Sequence, residues 1–340
     1  MSKNIALIGS GIFAKEEHLP AIRATPSLAL KAIYSRSLAS AQGLASDDAA
    51  VDLYSEDQEG RTYEELLKRD DIVGVVIALP ILVQPEYIKK ALSAGKHVLA
   101  EKPIAKDIAT ATELVSWYRG HASGVTLGIA ENFRFLDSFL YAASQISTLG
   151  RVLGSRTRMH ALVSPGAKYY ETAWRKKPEY QGGFLLDGGV HFVAATRLML
   201  AGGNVKVVKT SAFTTQLREH LPPVDTVDAT LQMSNGASGT ISISFGTTFS
   251  GSEYAVACEK GTVTVSKGKV TTKRDGKEEV KDFPDEGNGV KQEIVAWAKE
   301  LGEGKTDERQ SPEEALRDLE ILEAMLKSGE QAGAPVELKL

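Results

Sequence analysis

Two short stretches place charged side chains where a fold rarely leaves them without work. Residues 98–103 read VLAEKP, so that the apolar Val98-Leu99-Ala100 stops against Glu101 and Lys102, and Pro103 follows at once. An amine fixed at the end of a buried strand can stabilise negative charge developing on a substrate oxygen. A merely solvated strand end would look the same in isolation. The second stretch, GGFLLDGGVHFV, holds Asp187 and His191 four residues apart. On a helix starting near Asp187 that spacing is one turn, and both side chains face one site. An imidazole titrates near working pH, and a carboxylate that orients it makes His191 a general acid/base. The same pair could be half of a metal site, although no further His/Asp/Glu cluster completes it, and no metal is expected. An aspartate cap beside a core histidine is the remaining reading. Gly182, Gly183, Gly188 and Gly189 keep the approach open.

A third stretch gives the lysine a context. ALIGSGIFA carries Gly9, Gly11 and Ala14 as G-x-G-x-x-A, directly after an apolar strand and at the opening of a helix. In that setting Gly9 permits the tight turn, and Gly11 lets the backbone approach a pyrophosphate at the helix N-terminus. Ala14 lets helix and strand pack closely. The end of the second strand selects the dinucleotide. An acid there would bind the adenine-ribose 2′-hydroxyl, but the chain reads Tyr34-Ser35-Arg36-Ser37. A guanidinium between hydroxyls suits a 2′-phosphate, so NADP(H) is expected. Stacking of Arg36 on adenine is the alternative. Lys102 then lies on the rim where open α/β sheets bind ligands, within reach of a nicotinamide ribose and a substrate oxygen together. Glu101 can fix its position and Pro103 turns the chain away.

The elements that must hold these residues change character near residue 150. Before it, short apolar strands (Ile5–Ile8, Leu28–Tyr34, Ile72–Leu79, His97–Pro103) alternate with helical stretches (Phe13–Ala24, Leu38–Ala45, Asp107–Tyr118). This is the pattern of βαβ units and a parallel sheet. After it, strands are joined by short turns, and Asn235-Gly236 marks a hairpin. Ile241, Ile243 and Phe245 alternate with Thr240, Ser242 and Ser244, giving one apolar and one small polar face. Helices are expected around His191–Leu200 and over Pro312–Lys327, the latter opened by Ser311 and Glu314 as a capping box. The fold class is therefore α/β: an N-terminal Rossmann domain over 1–130, and an α+β domain with a large, mostly antiparallel open sheet over 131–340. The polar sheet face is expected to meet a second subunit, giving a homodimer or homotetramer.

Composition excludes other classes. Forty basic and forty-four acidic residues give a net charge of −4 without a basic block, so neither nucleic acid nor an anionic membrane is an expected partner. The charge-rich stretch 266–282 reads as a solvated hairpin. No leader is expected ahead of the first strand, and no apolar run approaches the roughly 20 residues of a membrane span. The single cysteine, Cys258, sits in a buried-strand pattern and reads as a structural thiol in a reducing, cytoplasmic compartment.

GSGIFA, AGKHVLAEKP and WRKKPEYQGGFLLDGGVH together resemble the glucose-fructose oxidoreductase/inositol dehydrogenase/MocA family, over essentially the whole chain. The GIFAKEEHLP opening is most similar to a fungal NADP(H)-dependent subgroup. The resemblance implies a catalytic triad of Lys102, Asp187 and His191. It also implies cofactor contacts from Gly9, Gly11, Ile12, Phe13, Ser35, Arg36, Leu79, Pro80, Glu101, Lys102, Asn132, Trp174 and Arg175, and a cis Lys102–Pro103 peptide. The expected activity is hydride transfer between NADP(H) and a sugar, polyol or related hydroxy/carbonyl compound. Two other outcomes occur in the family: a cofactor-binding regulator without turnover, and a sugar-modifying enzyme with no net redox change. One position departs from the family pattern. Where members often carry T-P-x-x-x-H, this chain has Leu79-Pro80 and then Gln84, which cannot titrate.

Overall fold

A computed structural model describes residues 2–45 and 50–340. In chain order its elements begin with β1 (Lys3–Ile8), a π-helical turn (Ala14–His18) running into α1 (Leu19–Arg23), β2 (Leu28–Ser35), α2 (Leu38–Ala45), β3 (Asp52–Ser55) and α3 (Tyr63–Leu67). Then come β4 (Gly74–Ile77), α4 (Gln84–Ser93), β5 (His97–Glu101), α5 (Ile108–His121), β6 (Leu127–Ala130) and α6 (Asp137–Ile146). β7 (Val152–His160), α7 (Ala173–Lys176) and α8 (Gly183–Gly202) lead to β8 (Val207–Thr215), β9 (Thr226–Met233), β10 (Ser238–Ser244) and β11 (Gly251–Cys258). β12 (Gly261–Ser266), β13 (Lys269–Arg274), β14 (Lys277–Asp282), α9 (Val290–Glu303), α10 (Pro312–Glu330) and β15 (Val336–Glu337) complete the chain.

These elements form two compact units. The first comprises residues 1–132 and 290–316, and the second 133–289 and 317–340. In the first, six parallel strands lie in the order β3-β2-β1-β4-β5-β6. Its central strands are buried on both faces, which is why Ile5–Ile8 and Val75–Ile77 are continuous apolar runs rather than alternating ones. The order reverses beside β1, so the carboxyl ends of β1 and β4 flank the crevice where such sheets take ligands.

A division at residue 130 misses one feature of this unit. α9 returns to the first sheet and sets Ile294 and Trp297, both fully buried, into the core with Ile5, Leu7 and Leu99. Gly74 makes room for it, since a Cβ there would stand 3.1 Å from both the Trp297 ring and the His97 carbonyl. The reason is packing across long sequence separation: α9 has an apolar stripe, and nothing local says which sheet it covers.

In the second unit nine strands run β14-β13-β12-β11-β7-β10-β9-β8-β15. Neighbours are antiparallel except β7 and β10, which pair in parallel from Gly154–Ser238 to His160–Ser244. Ile241, Ile243 and Phe245 are buried while Thr240 is exposed, and Gly236 turns the β9–β10 hairpin at φ +86°. β14 is exposed throughout, as a solvated hairpin requires.

α8 corrects two expectations. It begins at Gly183, four residues before Asp187, with Gly182 as its cap at φ +71°. Asp187 is therefore an interior helix residue and not a cap. At 20 residues α8 is also long and apolar enough to span a membrane, although two thirds of its apolar stretch is buried in the protein. The Thr157 and Thr196 hydroxyls meet at 2.7 Å, tying it to β7. Arg197 Nη1 donates to Asp318 Oδ1 of α10 at 2.5 Å, and Arg134 donates to the other oxygen of the same fully buried carboxylate. Removing one partner of such a buried ion network costs about 3–5 kcal/mol, so α8 is pinned in register.

Candidate active site

The glycine turn after β1 is shaped as its sequence requires. Gly9 takes φ +108°, and a Cβ on it would fall 2.2 Å from the Ala78 carbonyl oxygen at the end of β4. Around Gly11 nothing lies within 4 Å of where a Cβ would be, so the turn is open on that side. No side chain caps the helical segment that follows. Uncapped backbone donors beside an open glycine fit the pyrophosphate of a dinucleotide. Ser10 Oγ meets Ser35 Oγ at 2.7 Å, which joins this turn to the end of β2. Next to it Arg36 is exposed, with no ion pair or hydrogen bond among the described residues. Asp57, from the loop after β3, accepts from the Leu38 amide at 2.8 Å. The nearby Ser55 side chain and that amide hold its carboxyl below the usual range.

Lys102 follows directly on β5, half-buried, and its peptide bond to Pro103 is cis. The preceding Glu101 is held on two sides. His18, fully buried at the end of the π-helical turn, has Nε2 2.6 Å from Glu101 Oε1. A carboxylate only accepts, so Nε2 carries the proton. Glu101 Oε2 accepts from the Lys102 amide at 3.2 Å. Beneath them Glu293 of α9 is fully buried and neither of its carboxyl oxygens finds a partner. Burial pushes its pKa well up, Glu101 and Glu131 add to the shift, and Lys102 opposes it. Its surroundings thus favour the neutral form of Glu293.

In the second unit Asp187 and His191 lie on the same side of α8, as the four-residue spacing implies. Asp187 is buried and accepts from Arg175 Nε at 2.7 Å. Arg175, on the short α7, stacks on Trp174 at 4.1 Å. His191 is half-buried, and its ring lies on Phe133 with centroids 4.8 Å apart. Tyr180 is buried near Asp187, its hydroxyl unpartnered. Burial pushes that phenol up, the Asp187 charge adds, and Arg175 opposes.

Of the residues expected at a cofactor, Gly9, Gly11, Ile12, Phe13, Ser35, Arg36, Leu79, Pro80, Glu101, Lys102 and Asn132 all belong to the first unit. They lie at or just after the carboxyl ends of β1, β2, β4, β5 and β6. Trp174 and Arg175 belong to the second, where Arg175 engages Asp187. Among the described residues no cluster of three His, Cys, Asp or Glu could hold a metal. Cys258 is buried and its thiol is pushed up by burial, as a structural thiol would be. Sequence reasoning missed His18, Tyr180 and Glu293. An acid set into the Val290-Ile294-Trp297 stripe was the available signal for Glu293, and a histidine on the apolar side of a glycine-turn helix was the one for His18.

Comparison with known proteins agrees over both units. Residues 3–128 match the model of an oxidoreductase family, GFO/IDH/MocA, described as an NAD-binding Rossmann fold, and residues 144–338 match its C-terminal alpha/beta domain. A protein named dehydrogenase FPY6 from Fusarium mangiferae is 45% identical over 334 residues, 95% of each chain. One named D-xylose 1-dehydrogenase (NADP(+)) 2, from Haloferax volcanii, is 29% identical over 98% of each. The crystal structure of an oxidoreductase from Thermotoga maritima superimposes with a TM-score of 0.86 at 30% identity, covering 99% of this chain and 98% of that one.

Proposed function

Because the chain belongs to the GFO/IDH/MocA oxidoreductase family, we propose that it is an NADP(H)-dependent oxidoreductase acting on a CH–OH group, or the matching carbonyl, of a sugar, polyol or related compound. The observation that carries this reading is Lys102 at the carboxyl end of β5, in the same parallel sheet whose first strand ends in the open glycine turn. Gly9 and Gly11 would admit the pyrophosphate, and Ser35 and Arg36 would receive the 2′-phosphate. A bound nicotinamide supplies or accepts the hydride. The amine of Lys102 donates to the reacting oxygen and stabilises the charge that develops on it. In the oxidative direction His191 takes the hydroxyl proton as the C–H hydride departs, and in the reductive direction it returns that proton. Asp187, held by Arg175, orients the substrate hydroxyls or His191. The name of the Haloferax relative, with its sugar and its NADP, supports both parts of this assignment.

The test is a nicotinamide-absorbance screen over sugars, polyols and dicarbonyls, with the phosphorylated and unphosphorylated cofactors in both redox states. Steady consumption of NADPH or NADP with at least one compound is expected. Tight cofactor binding with no absorbance change across the panel would overturn the redox assignment.

A further inference from the structure

The residue that replaces the family's usual histidine does more than fail to titrate. Gln84 opens α4, is 1% exposed, and sends its amide nitrogen to the main chain on either side of Lys102. Nε2 donates to the Glu101 carbonyl, and it lies 3.4 Å from the Pro103 carbonyl. Both partners are carbonyl oxygens, so only the nitrogen end of the amide can face them. The other end, Oε1, is buried with no partner. A side chain kept in the core with half its capacity unmet is a poor packing residue, and an apolar one of equal size would avoid the loss. What the amide does achieve is local: among the described residues its hydrogen bonds fall on residues 101 and 103. α4 itself is anchored to the turn after β4, since the Gln84 amide reaches the Pro80 carbonyl at 3.3 Å.

We propose that Gln84 is the positioning residue of Lys102: its amide holds the carbonyls before and after the lysine, and so fixes where β5 presents the amine. His18 holds the neighbouring Glu101 side chain, whereas Gln84 holds the backbone. The inference rests on the catalytic reading of Lys102 for its consequence, but the clamp itself can be tested without any substrate.

Three variants separate the possibilities. Gln84→Met keeps the length and removes the donor, Gln84→Glu turns an acceptor toward two acceptors, and Gln84→His keeps an N–H. Amide hydrogen exchange, read by mass spectrometry, should quicken at least tenfold over residues 101–106 in Q84M and Q84E. It should stay close to wild type over 108–121 in all three and over 101–106 in Q84H. NADPH affinity, by fluorescence titration, should change less than threefold. With a substrate from the screen, kcat should fall at least tenfold in Q84M with KM within threefold, and Q84H should recover most of it. Should Q84M fail to fold, the contrast between Q84E and Q84H decides. Unchanged exchange over 101–106 overturns the clamp whatever the enzyme's substrate. Faster exchange with wild-type kcat overturns its role in placing the lysine. A wild type that turns over nothing in the screen refutes the proposed function and leaves the exchange result to judge the clamp.

Discussion

At the scale of single residues, the proposed site divides into groups that would touch the reaction and groups that would hold them. Lys102→Met keeps the stem and removes the charge. It should fold and bind NADPH, yet lose roughly a hundredfold or more in turnover, the magnitude typical of losing one preorganised donor to a developing oxyanion. His191→Ala should likewise spare cofactor affinity and cost about a hundred- to ten-thousand-fold in rate. Stopped-flow turnover beside NADPH titration checks both, and near-wild-type rates would make Lys102 a solvated strand end. The proposed preference for NADP(H) rests on Arg36 instead. The wild type should bind NADP(H) at least tenfold tighter than NAD(H), about 1.4 kcal/mol, and Arg36→Ala should erase the difference. Equal wild-type affinities would dismiss the 2′-phosphate reading. Gly9, Gly11, Lys102, Asp187 and His191 could be singled out as candidates because their types and spacings are short-range. His18, 83 residues from Glu101, was not, because only the folded sheet brings them together.

At the scale of elements, local pattern gave the alternation of strand and helix before residue 130 and the hairpins after it. It also placed Ser311, whose Oγ accepts from the Glu314 amide at 3.3 Å at the start of α10. It could not give pairings that depend on distant chain. The single parallel pair β7–β10 and the destination of α9 are of that kind. α9 also carries a testable electrostatic feature. Glu300, buried near its end, accepts from the Asp307 amide at 2.5 Å, and burial raises its pKa to about 8. The folded state therefore binds this proton more tightly than the unfolded chain, whose carboxylates titrate near 4.3. The stability it contributes is fully present below that value and falls as pH rises toward 8, at up to about 1.4 kcal/mol per unit. Glu300→Gln keeps the acceptor and cannot ionise. Chemical denaturation should find it level with wild type near pH 4 and more stable than wild type at pH 8. Parallel pH curves for the two proteins would show that Glu300 is not the group responsible.

At the scale of the whole molecule, the nine-stranded sheet has one face under α6 and α8 and another carrying Thr240, Ser242 and the exposed Phe213. Ser242 lies within a polar ladder on that side, donating to Asp228 at 2.5 Å and meeting His160 Nε2 at 2.8 Å. A broad face of this kind suits a two-fold contact with a second copy. Light scattering at micromolar concentration should return a dimer or tetramer, and a monomer mass would count decisively against that assembly.

The return of α9 also has a consequence for how the chain comes off the ribosome. The first sheet is complete in hydrogen bonds once β6 has emerged, but its core lacks Ile294 and Trp297 until more than 150 further residues have been made. The N-terminal unit is thus started first but cannot be finished until residues 133–289 of the second unit have been synthesised. A nascent chain stalled at residue 132 should be cut readily by protease within the segment that becomes β1 to β6. One stalled after residue 316, with that stretch clear of the exit tunnel, should resist.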